Sequence, residues 1–206
     1  MKAAYPANES ARIRALCELD ILDSPPEAAF DDITRLAAEL CVTPVALVSL
    51  VDGTRQWFKS RIGIEVTHTS RDVAFCAHAL HSPDLLEVTD ATLDPRFADN
   101  PLVTGGPGIR FYAGAPLLTP DGEVLGTLCV IDWTPRSLDD RQRRALRTLA
   151  DQVMTQMRLR RQLHLQAHTE AALKALEERW QFALEASDEG VWDWNLLTDE
   201  VFFSDR

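Results

Sequence analysis

The sequence is poor in the patterns that build metal centres and redox motifs. Its four cysteines, Cys17, Cys41, Cys76 and Cys129, lie far apart among apolar residues, and no CxxC pair occurs in the 206 residues. This spacing indicates neither a zinc site nor a thioredoxin-like redox pair. We therefore predict no metal and assign no cofactor beyond an unidentified small-molecule ligand, and we expect reduced thiols that fill a core, as in a cytosolic protein.

Positive charge and long apolar runs are also scarce. Lysine and arginine number 21 against 32 aspartates and glutamates, which gives a net charge of −11. Sequence-independent binding of nucleic acid requires a basic face, so nucleic acid is excluded as an expected partner. No apolar run is long enough to cross a bilayer, and residues 1–10 lack the apolar part of a signal peptide. The sequence predicts a cytoplasmic protein without a membrane partner.

Two helices are predicted before the first strand. Asn8 is a candidate N-cap of the first helix. The string Ser24-Pro25-Pro26-Glu27 has the pattern of a capping box with proline in the first turn of the second helix. Residues 30–40 then carry apolar side chains at helical spacing, which predicts one buried face.

Two β-hairpins follow. The first joins residues 45–51 to residues 55–61, and the second joins residues 111–118 to residues 124–131. Between them lies a turn-rich stretch, Asp90–Arg110, and a loop of that length inside a compact domain is usually functional. Helices followed by mostly antiparallel strands predict an α+β domain.

The chain after Pro135 has a single helical character. Ser137-Leu138-Asp139-Asp140 has the capping-box pattern, and neither proline nor glycine occurs again before Gly190. We predict one helix over residues 136–187, with a heptad-like apolar stripe whose frame shifts once. Such a helix is too long to bury its whole stripe against its own domain, which predicts a parallel homodimer. The candidate interface residues are Leu146, Leu149, Val153, Leu159 and Leu163.

A series of motifs, in order along residues 8–157, resembles the GAF domains of bacterial sensory proteins. The motifs include Leu22-Asp23-Ser24-Pro25-Pro26-Glu27, Gln56-Trp57-Phe58-Lys59-Ser60, Phe75-Cys76-Ala77-His78, Phe111-Tyr112-Ala113-Gly114-Ala115-Pro116-Leu117 and Gly126-Thr127-Leu128-Cys129-Val130-Ile131-Asp132. The resemblance implies a GAF-like central antiparallel sheet with helices packed on it. It also implies a GAF sensory domain over residues 8–135, with the match running to about residue 157 in the long helix.

Residues 188–206 resemble the opening of a PAS domain, through Gly190-Val191-Trp192-Asp193-Trp194-Asn195. In proteins of this type the resemblance implies more PAS sequence and then an output domain, with a diguanylate cyclase favoured over a histidine kinase. No GGDEF-like string and no His-Glu phosphoacceptor box occur in the sequence. We therefore expect this chain to have no catalytic activity of its own.

The GAF resemblance implies a small-molecule cavity between the sheet and the Asp90–Arg110 loop. Phosphodiesterase-linked GAF domains bind cyclic nucleotides in this cavity, and on that resemblance Arg71 and Arg110 are candidates to face a phosphate while aromatic residues stack on a base. Cys76 and His78 are similar to the Cys-His pair that attaches bilins in phytochrome-related GAF domains, although Ala77 separates them here. The candidate ligand-binding residues are Trp57, Arg71, Phe75, Cys76, His78, Asp90, Arg110, Phe111 and Tyr112.

Alternatives to ligand sensing stay open at this point. The arginines are equally explained by surface ion pairs and the aromatic residues by core packing, which would make the chain a structural dimerisation module with a filled cavity. Free methionine sulfoxide reductases share the GAF fold and are an enzymatic alternative. Their chemistry needs a nucleophilic cysteine in the mobile loop, and residues 90–110 contain none.

Overall fold

A computed structural model describes residues 2–187, 192–195 and 197–203. The chain divides into two compact units, Met1–Arg161 and Gln162–Arg206. The α-helices of the described chain are α1 (Glu9–Glu18), α2 (Ala28–Cys41), α3 (Phe75–Ala79), α4 (Pro101–Thr104) and α5 (Asp140–Ser187), and Arg71–Val73 forms a short 3-10 helix. The strands are β1 (Val45–Val51), β2 (Arg55–Ile62), β3 (His68–Ser70), β4 (Leu86–Val88), β5 (Phe111–Leu118), β6 (Val124–Asp132), β7 (Trp192–Asn195) and β8 (Glu200–Phe203).

A six-stranded sheet forms the centre of the first unit. Its order is β3-β2-β1-β6-β5-β4, and each of its strand pairs is antiparallel. The two predicted hairpins are β1–β2 and β5–β6, and they meet through the pairing of β1 with β6. The predicted α+β, GAF-like class is confirmed, including the long C-terminal helix.

Both faces of this sheet are buried, which explains why β1 is apolar at almost every position. Ala46, Val48 and Leu50 join the core formed with α1, α2 and the start of α5. Val45 and Leu47 point to the other face and join a second core, which contains α3 and the segment between β4 and β5. Because side chains alternate along a strand, β1, β2, β5 and β6 each supply residues to both cores.

β2 carries a bulge that re-aims one side chain. Val48 pairs with Ser60 whereas Ser49 pairs with Phe58, which leaves Lys59 as an extra residue in β2. Lys59 Nζ donates to Glu27 Oε1 at 2.6 Å, and Ser60 Oγ donates to Asp31 Oδ1 at 2.6 Å. Two consecutive residues therefore contact the α2 side, while Phe58 faces the other core.

The start of α2 differs from the predicted capping box. The helix begins at Ala28 with Glu27 as N-cap, and no side chain caps it. Ser24 Oγ instead donates to the carbonyl of Ile21 and accepts from Lys59 Nζ at 2.8 Å. Proline disfavours a helical conformation in the residue before it, so Pro25 and Pro26 keep this segment extended.

The other two predicted caps also differ in detail. Asn8 is the N-cap of α1, but its side chain makes no capping bond and Nδ2 donates to Glu123. The capping box of α5 lies two residues later than predicted: Asp139 Oδ1 accepts from the Gln142 amide at 2.8 Å, and Gln142 Oε1 accepts from the Asp139 amide at 3.0 Å. α5 therefore begins at Asp140 rather than 136.

The stripe predicted as a dimer interface divides into two parts. Leu146 and Val153 are fully buried in the core of their own domain, and Leu149 packs half-buried against it. Leu159 and Leu163 are 46% and 64% exposed. The first three residues therefore hold α5 on the domain, because the sheet offers an apolar face up to Met157. This corrects their assignment to a dimer interface.

The second unit contains the end of α5 and the hairpin of β7 and β8. Trp192 pairs with Phe203, and Trp194 Nε1 donates to Asp199 Oδ1 at 3.0 Å. Residues 188–191, 196 and 204–206, over which the predicted PAS motif and strands extend, lie outside the described residues. The PAS assignment stays a prediction. None of the described helices has the combined length and apolar character needed to cross a membrane.

Candidate functional site

A cavity of about 570 Å³ lies between the sheet and the segment that joins β4 to β5. Its floor comes from four neighbouring strands, through Phe58, Leu47, Ile131 and Tyr112. The other lining residues are Gln56, Ile64, Glu65, Val66, Thr69, Phe75, Cys76, Leu102, Gly106, Pro107, Ile109 and Trp133. The cavity lies where the GAF resemblance implies one, and its size is within the range of small-molecule sites.

The rim of the cavity reaches the surface. Glu65, Val66, Gly106, Pro107 and Trp133 all line it and are exposed. Among the described residues that line it, Glu65 carries the one carboxylate, and lysine, arginine and histidine are absent. An apolar wall without a cation does not compensate the lost hydration of a phosphate. The lining therefore favours a neutral, largely apolar molecule.

A polar cluster lies at one end of the cavity, around the sulfur of Cys76. Cys76 Sγ accepts hydrogen bonds from Thr127 Oγ1 at 3.0 Å, Tyr112 Oη at 3.2 Å and Gln56 Nε2 at 3.3 Å. The sulfur of Cys129 lies 3.9 Å from that of Cys76. These five residues, from α3, β2, β5 and β6, are all buried. We refer to them as the Cys76 cluster.

The Cys76 cluster favours the ionised form of this thiol. Burial raises the pKa of Cys76, but the hydrogen bonds from the surrounding thiol and hydroxyl groups outweigh burial and lower it below its ordinary value. Burial and the charge on Cys76 raise the pKa of both Cys129 and Tyr112 well above their ordinary values. Cys76 is therefore the acidic member of the cluster, and its neighbours act as donors.

Gly114 makes room for the tyrosine in this cluster. Tyr112 and Gly114 lie two positions apart on β5 and so share one face of the sheet. A Cβ atom at position 114 would lie 2.2 Å from Tyr112 Oη, far inside van der Waals contact. Glycine is needed here so that the tyrosine ring can lie along the strand and its hydroxyl can reach Cys76.

Three of the nine predicted ligand residues line the cavity, namely Phe75, Cys76 and Tyr112. Trp57 and Phe111 belong instead to the core on the opposite face of the sheet. Their strand neighbours Phe58 and Tyr112 occupy the cavity face, because consecutive side chains point to opposite sides. The pairs Trp57-Phe58 and Phe111-Tyr112 therefore each supply one aromatic residue to each core.

The two predicted phosphate-binding arginines are both held away from the cavity. Arg71 Nη1 donates to the Glu9 carboxylate and to the carbonyl of Asp52 at 2.7 Å, and the guanidinium lies 4.2 Å from the centre of the Tyr5 ring. Arg110 Nη1 donates, at 3.1 Å each, to the carbonyl oxygens of Val103, Gly108 and Ile109. Arg71 thus anchors α1, and Arg110 fixes the conformation of the segment that covers the cavity.

His78 and Asp90 also lie outside the lining. The His78 ring packs edge-on against Phe97, with 4.7 Å between ring centres. Asp90 Oδ1 accepts from the amide of Thr92 at 2.9 Å and from its hydroxyl at 2.6 Å, in an exposed turn. Within the described part of the chain, no group of three or more potential metal ligands occurs. The bilin-like pairing of Cys76 with His78 therefore finds no common cavity here.

Sequence reasoning missed the three polar partners of Cys76 on the strands: Gln56, Thr127 and Cys129. The alternation of side chains between the two faces of a strand is a signal that could have indicated them. Gln56 shares a face with Phe58, and Thr127 shares a face with Cys129. A polar residue that shares a strand face with buried residues indicates a hydrogen-bonded cluster, since an isolated polar group is costly to bury.

The bulge in β2 connects the cavity to α5. Phe58 lines the cavity, whereas the side chain of Lys59 is fully buried on the other face and donates to Glu27. Glu27 Oε1 also accepts from Arg160 Nε of α5 at 2.8 Å, and Arg160 Nη1 donates to the carbonyl of Asp20 at 2.6 Å. We call Lys59, Glu27 and Arg160 the β2–α5 link. Burial raises the pKa of Glu27, but the hydrogen bonds from Lys59 and Arg160 outweigh it and lower that pKa.

The sequence is similar to one curated bacterial signalling enzyme. Over 132 residues it is 48% identical to a cyclic di-GMP phosphodiesterase of Pseudomonas aeruginosa. The aligned region covers 64% of this chain and 22% of the relative. The chain thus spans about a fifth of the length of the curated relative it matches.

Solved structures show the same fold at low sequence identity. The GAF domain of an Acinetobacter phosphoenolpyruvate-protein phosphotransferase has a TM-score of 0.51 at 17% identity, covering 82% of this chain and 99% of that one. A free methionine-R-sulfoxide reductase of Neisseria meningitidis, in complex with its substrate, has a TM-score of 0.54 at 15% identity, covering 79% of this chain and 98% of that one. At such identities the likeness concerns the fold alone.

The family model matches the part of the chain that contains most of the motifs. Residues 25–157 match the model of the GAF domain, which is well over half of the chain. The chain therefore belongs to the GAF domain family.

Proposed function

We propose that this GAF domain is the sensory module of a cytoplasmic signalling protein and that its cavity binds a neutral, largely apolar small molecule. The observation that carries the proposal is the cavity of about 570 Å³, whose described lining contains no lysine, arginine or histidine and whose one carboxylate belongs to the exposed Glu65. A molecule buried there gains from the removal of apolar surface from water, at roughly 25 cal/mol per Å². Cyclic nucleotides are disfavoured as the ligand, because Arg71 and Arg110 have partners elsewhere.

The signal leaves through the β2–α5 link in this proposal. A ligand that shifts Phe58 moves β2, and Lys59 is the next residue along the same strand. Lys59 is joined to Arg160 of α5 through the two hydrogen bonds that the same oxygen of Glu27 accepts. A ligand changes the position of α5 only as far as it binds one arrangement of this link more tightly than another. We propose binding and transmission, without catalysis by this chain.

A second copy of the chain completes the signalling helix in this proposal. The distal part of α5 carries exposed apolar side chains, namely Leu159, Leu163, Leu165, Leu173, Leu176, Trp180 and Phe182. Isolated helices owe most of their stability to packing, so these residues support a parallel homodimer. The predicted stripe is kept only from Leu159 onwards, because the earlier part belongs to the domain core.

The similarity to a cyclic di-GMP phosphodiesterase bears on the expected output. We propose that the whole protein acts in the turnover of cyclic di-GMP, as a phosphodiesterase or as a diguanylate cyclase, the output that the resemblance to GAF and PAS sensory proteins favours over a histidine kinase. In either case the GAF domain has a regulatory role, and the catalytic residues belong to another part of the protein.

The ligand proposal is tested with a neutral fluorescent probe, N-phenyl-1-naphthylamine, and with native mass spectrometry of the purified protein. Thr69→Trp fills the cavity, since Thr69 lines it from β3. Thr67→Trp is the matched control, because Thr67 is exposed and lies outside the lining. We expect the probe to bind the wild type and the control equally, and the cavity variant at least about tenfold more weakly, which is about 1.4 kcal/mol.

Equal binding to both tryptophan variants would show that the probe binds elsewhere. Displacement of the probe by cyclic di-GMP would contradict the inference that the ligand is neutral.

The dimer proposal is tested by light scattering of the wild type and two glutamate variants. Leu163→Glu places a charge in the apolar stripe and is expected to yield a monomer at micromolar concentration. His168→Glu is the control, since five residues at about 100° each place it about 140° away around the helix. A monomeric wild type, or a Leu163→Glu variant that stays dimeric, would rule out this interface.

A further inference from the structure

The Cys76 cluster has a chemical property that ligand binding does not require. Two sulfurs, Cys76 Sγ on α3 and Cys129 Sγ on β6, lie 3.9 Å apart. Donors from Thr127, Tyr112 and Gln56 converge on the first of them. Donors directed at one sulfur stabilise its thiolate, which is the nucleophilic form of cysteine. Cys129 Sγ is close enough to react with an oxidised form of Cys76.

The cavity gives Cys76 access to small molecules although the residue is only 1% exposed. Cys76 lines the cavity, whose rim is formed by exposed residues. A hydroperoxide is small, neutral and able to enter an apolar cavity without unfolding of the domain. The site therefore combines an activated thiol, a route for an oxidant and a partner thiol.

The other two cysteines lack this combination. Cys17 is exposed on α1, and Cys41 is buried at the end of α2 in the core on the other face of the sheet. Burial raises the pKa of Cys41 to about 11, so this thiol stays protonated near neutral pH. Cys17 and Cys41 therefore serve as an exposed and a buried reference with which the reactivity of the Cys76 thiol can be compared.

We infer that Cys76 is an oxidation site, which reduces a hydroperoxide that enters through the cavity and then forms a disulfide with Cys129. In the first step the Cys76 thiolate attacks one peroxide oxygen; an S–O bond forms, the O–O bond breaks, and an alcohol or water leaves after taking a proton. In the second step the Cys129 sulfur attacks the sulfenic acid; an S–S bond forms, the S–O bond breaks, and water leaves with the thiol proton. Two thiols are oxidised and one peroxide is reduced to an alcohol and water.

The geometry of the fold allows this step and gives it a structural effect. The sulfurs must approach by about 2 Å to reach disulfide bonding distance. β6 is a central strand paired on both sides, whereas α3 has five residues, so α3 is the element that moves. The disulfide removes the acceptor of the Tyr112 and Thr127 hydroxyl groups at the end of the cavity. Oxidation therefore changes the cavity independently of any ligand.

The test compares all four cysteines within the unmodified wild-type protein. Each lies on its own tryptic peptide, because arginines flank the ranges 15–35, 36–55, 72–96 and 111–136. Native protein is treated with a small molar excess of hydrogen peroxide, alkylated and digested for mass spectrometry. We expect a crosslink between peptides 72–96 and 111–136 before Cys17 or Cys41 is modified. Oxidation of Cys17 first, or a disulfide between any other pair, would overturn the inference.

Variants separate the two steps. Cys129→Ser is expected to leave a sulfenic acid on Cys76 that dimedone traps, and Cys76→Ser to leave Cys129 unmodified. Cys41→Ser, which removes a buried cysteine from the opposite core, is the control and keeps the crosslink. Modification of Cys129 in the Cys76→Ser variant at the wild-type rate would contradict the proposed order.

The pH dependence of alkylation distinguishes an activated thiol from one that is merely close to a partner. The rate for Cys76 with iodoacetamide should reach half its maximum below about pH 8.5, the ordinary value for cysteine. Tyr112→Phe removes one donor and should raise this midpoint by about one pH unit. A wild-type midpoint at or above 8.5, or one unchanged in Tyr112→Phe, would show that the cluster does not activate Cys76.

Discussion

Glu9 holds together an ion cluster that determines the role of Arg71, and its replacement by glutamine tests that role. Arg12 is fully buried and donates to the Glu9 carboxylate through Nε at 2.9 Å and Nη2 at 2.8 Å. Arg71 Nη1 donates to the same carboxylate. Burial raises the pKa of Glu9, but the hydrogen bonds and charges of Arg12 and Arg71 outweigh it and lower this pKa from 4.5 to about 2.

This lowering predicts both the size and the pH dependence of the effect. At 1.36 kcal/mol for a tenfold change in proton affinity, the lowered pKa of Glu9 corresponds to about 3 kcal/mol of stabilisation of the folded state at neutral pH. The Glu9 side chain is 20% exposed, so screening by water reduces the expected value to about 2 kcal/mol. Because the folded state has the lower pKa, the unfolded chain takes up the proton first. The stabilisation is therefore complete above about pH 4.5 and is lost as the pH falls towards 2.

The assay is urea denaturation of the wild type and Glu9→Gln at pH 7, 5 and 3.5. We expect the variant to be less stable by about 2 kcal/mol at pH 7 and the difference to shrink as the pH falls. Glu39→Gln, at an exposed position of α2, is the control. Equal stability of Glu9→Gln and the wild type at pH 7, or a difference that does not depend on pH, would refute the reasoning. Glu9→Gln should bind the fluorescent probe normally, because Arg71 lies outside the cavity.

Two further predictions concern how α5 is attached to the domain. Lys59→Met breaks the β2–α5 link and is expected to lower the free energy of unfolding by about 2 kcal/mol. This is less than the cost of breaking a fully buried ion pair, because Glu27 is partly exposed and keeps its bond to Arg160. Calorimetry should show a Tm lower by about 4–8 °C, and an unchanged Tm would contradict the role of the link. Leu146→Ala should destabilise the domain by about 2–5 kcal/mol in urea denaturation, because Leu146 is fully buried. Leu163→Ala, measured under conditions that keep the chain monomeric, should change the stability by less than about 0.5 kcal/mol. Similar values for the two variants would contradict the division of the stripe.

The sequence predicted the fold well wherever a local pattern carries the information. The hairpins around residues 52–54 and 119–123, the apolar run of β1 and the long helix without proline or glycine all have short-range signals, and the structure contains each element close to its predicted bounds. The starts of α2 and α5 were less accurate. Ser24 and Ser137 match a capping pattern, but the hydrogen bonds that define a helix start depend on which neighbours approach it, such as Lys59 at Ser24.

The candidate site was predicted only in part, because a list of chemically suitable residues does not contain their orientation. Phe75, Cys76 and Tyr112 line the cavity, whereas Arg71 and Arg110 bind carboxylate and carbonyl groups that are distant or unremarkable in the sequence. An arginine placed near a cavity is available to a ligand only if no protein acceptor reaches it first. That competition is decided by the packing of α1 and of the segment before β5.

The sequence by itself determined the element order and the presence of apolar strands buried on both faces, because these follow from hydrophobic periodicity and turn residues along the chain. The GAF family came from the resemblance of the motifs along residues 8–157. Only the tertiary structure decided which residue of each neighbouring pair faces the cavity and which of the four cysteines come together. Cys76 and Cys129 are separated by 53 residues, and their sulfurs meet because α3 packs on the face of β6 that carries Thr127 and Cys129. A contact of this kind depends on strand register and helix packing, and no local pattern encodes either.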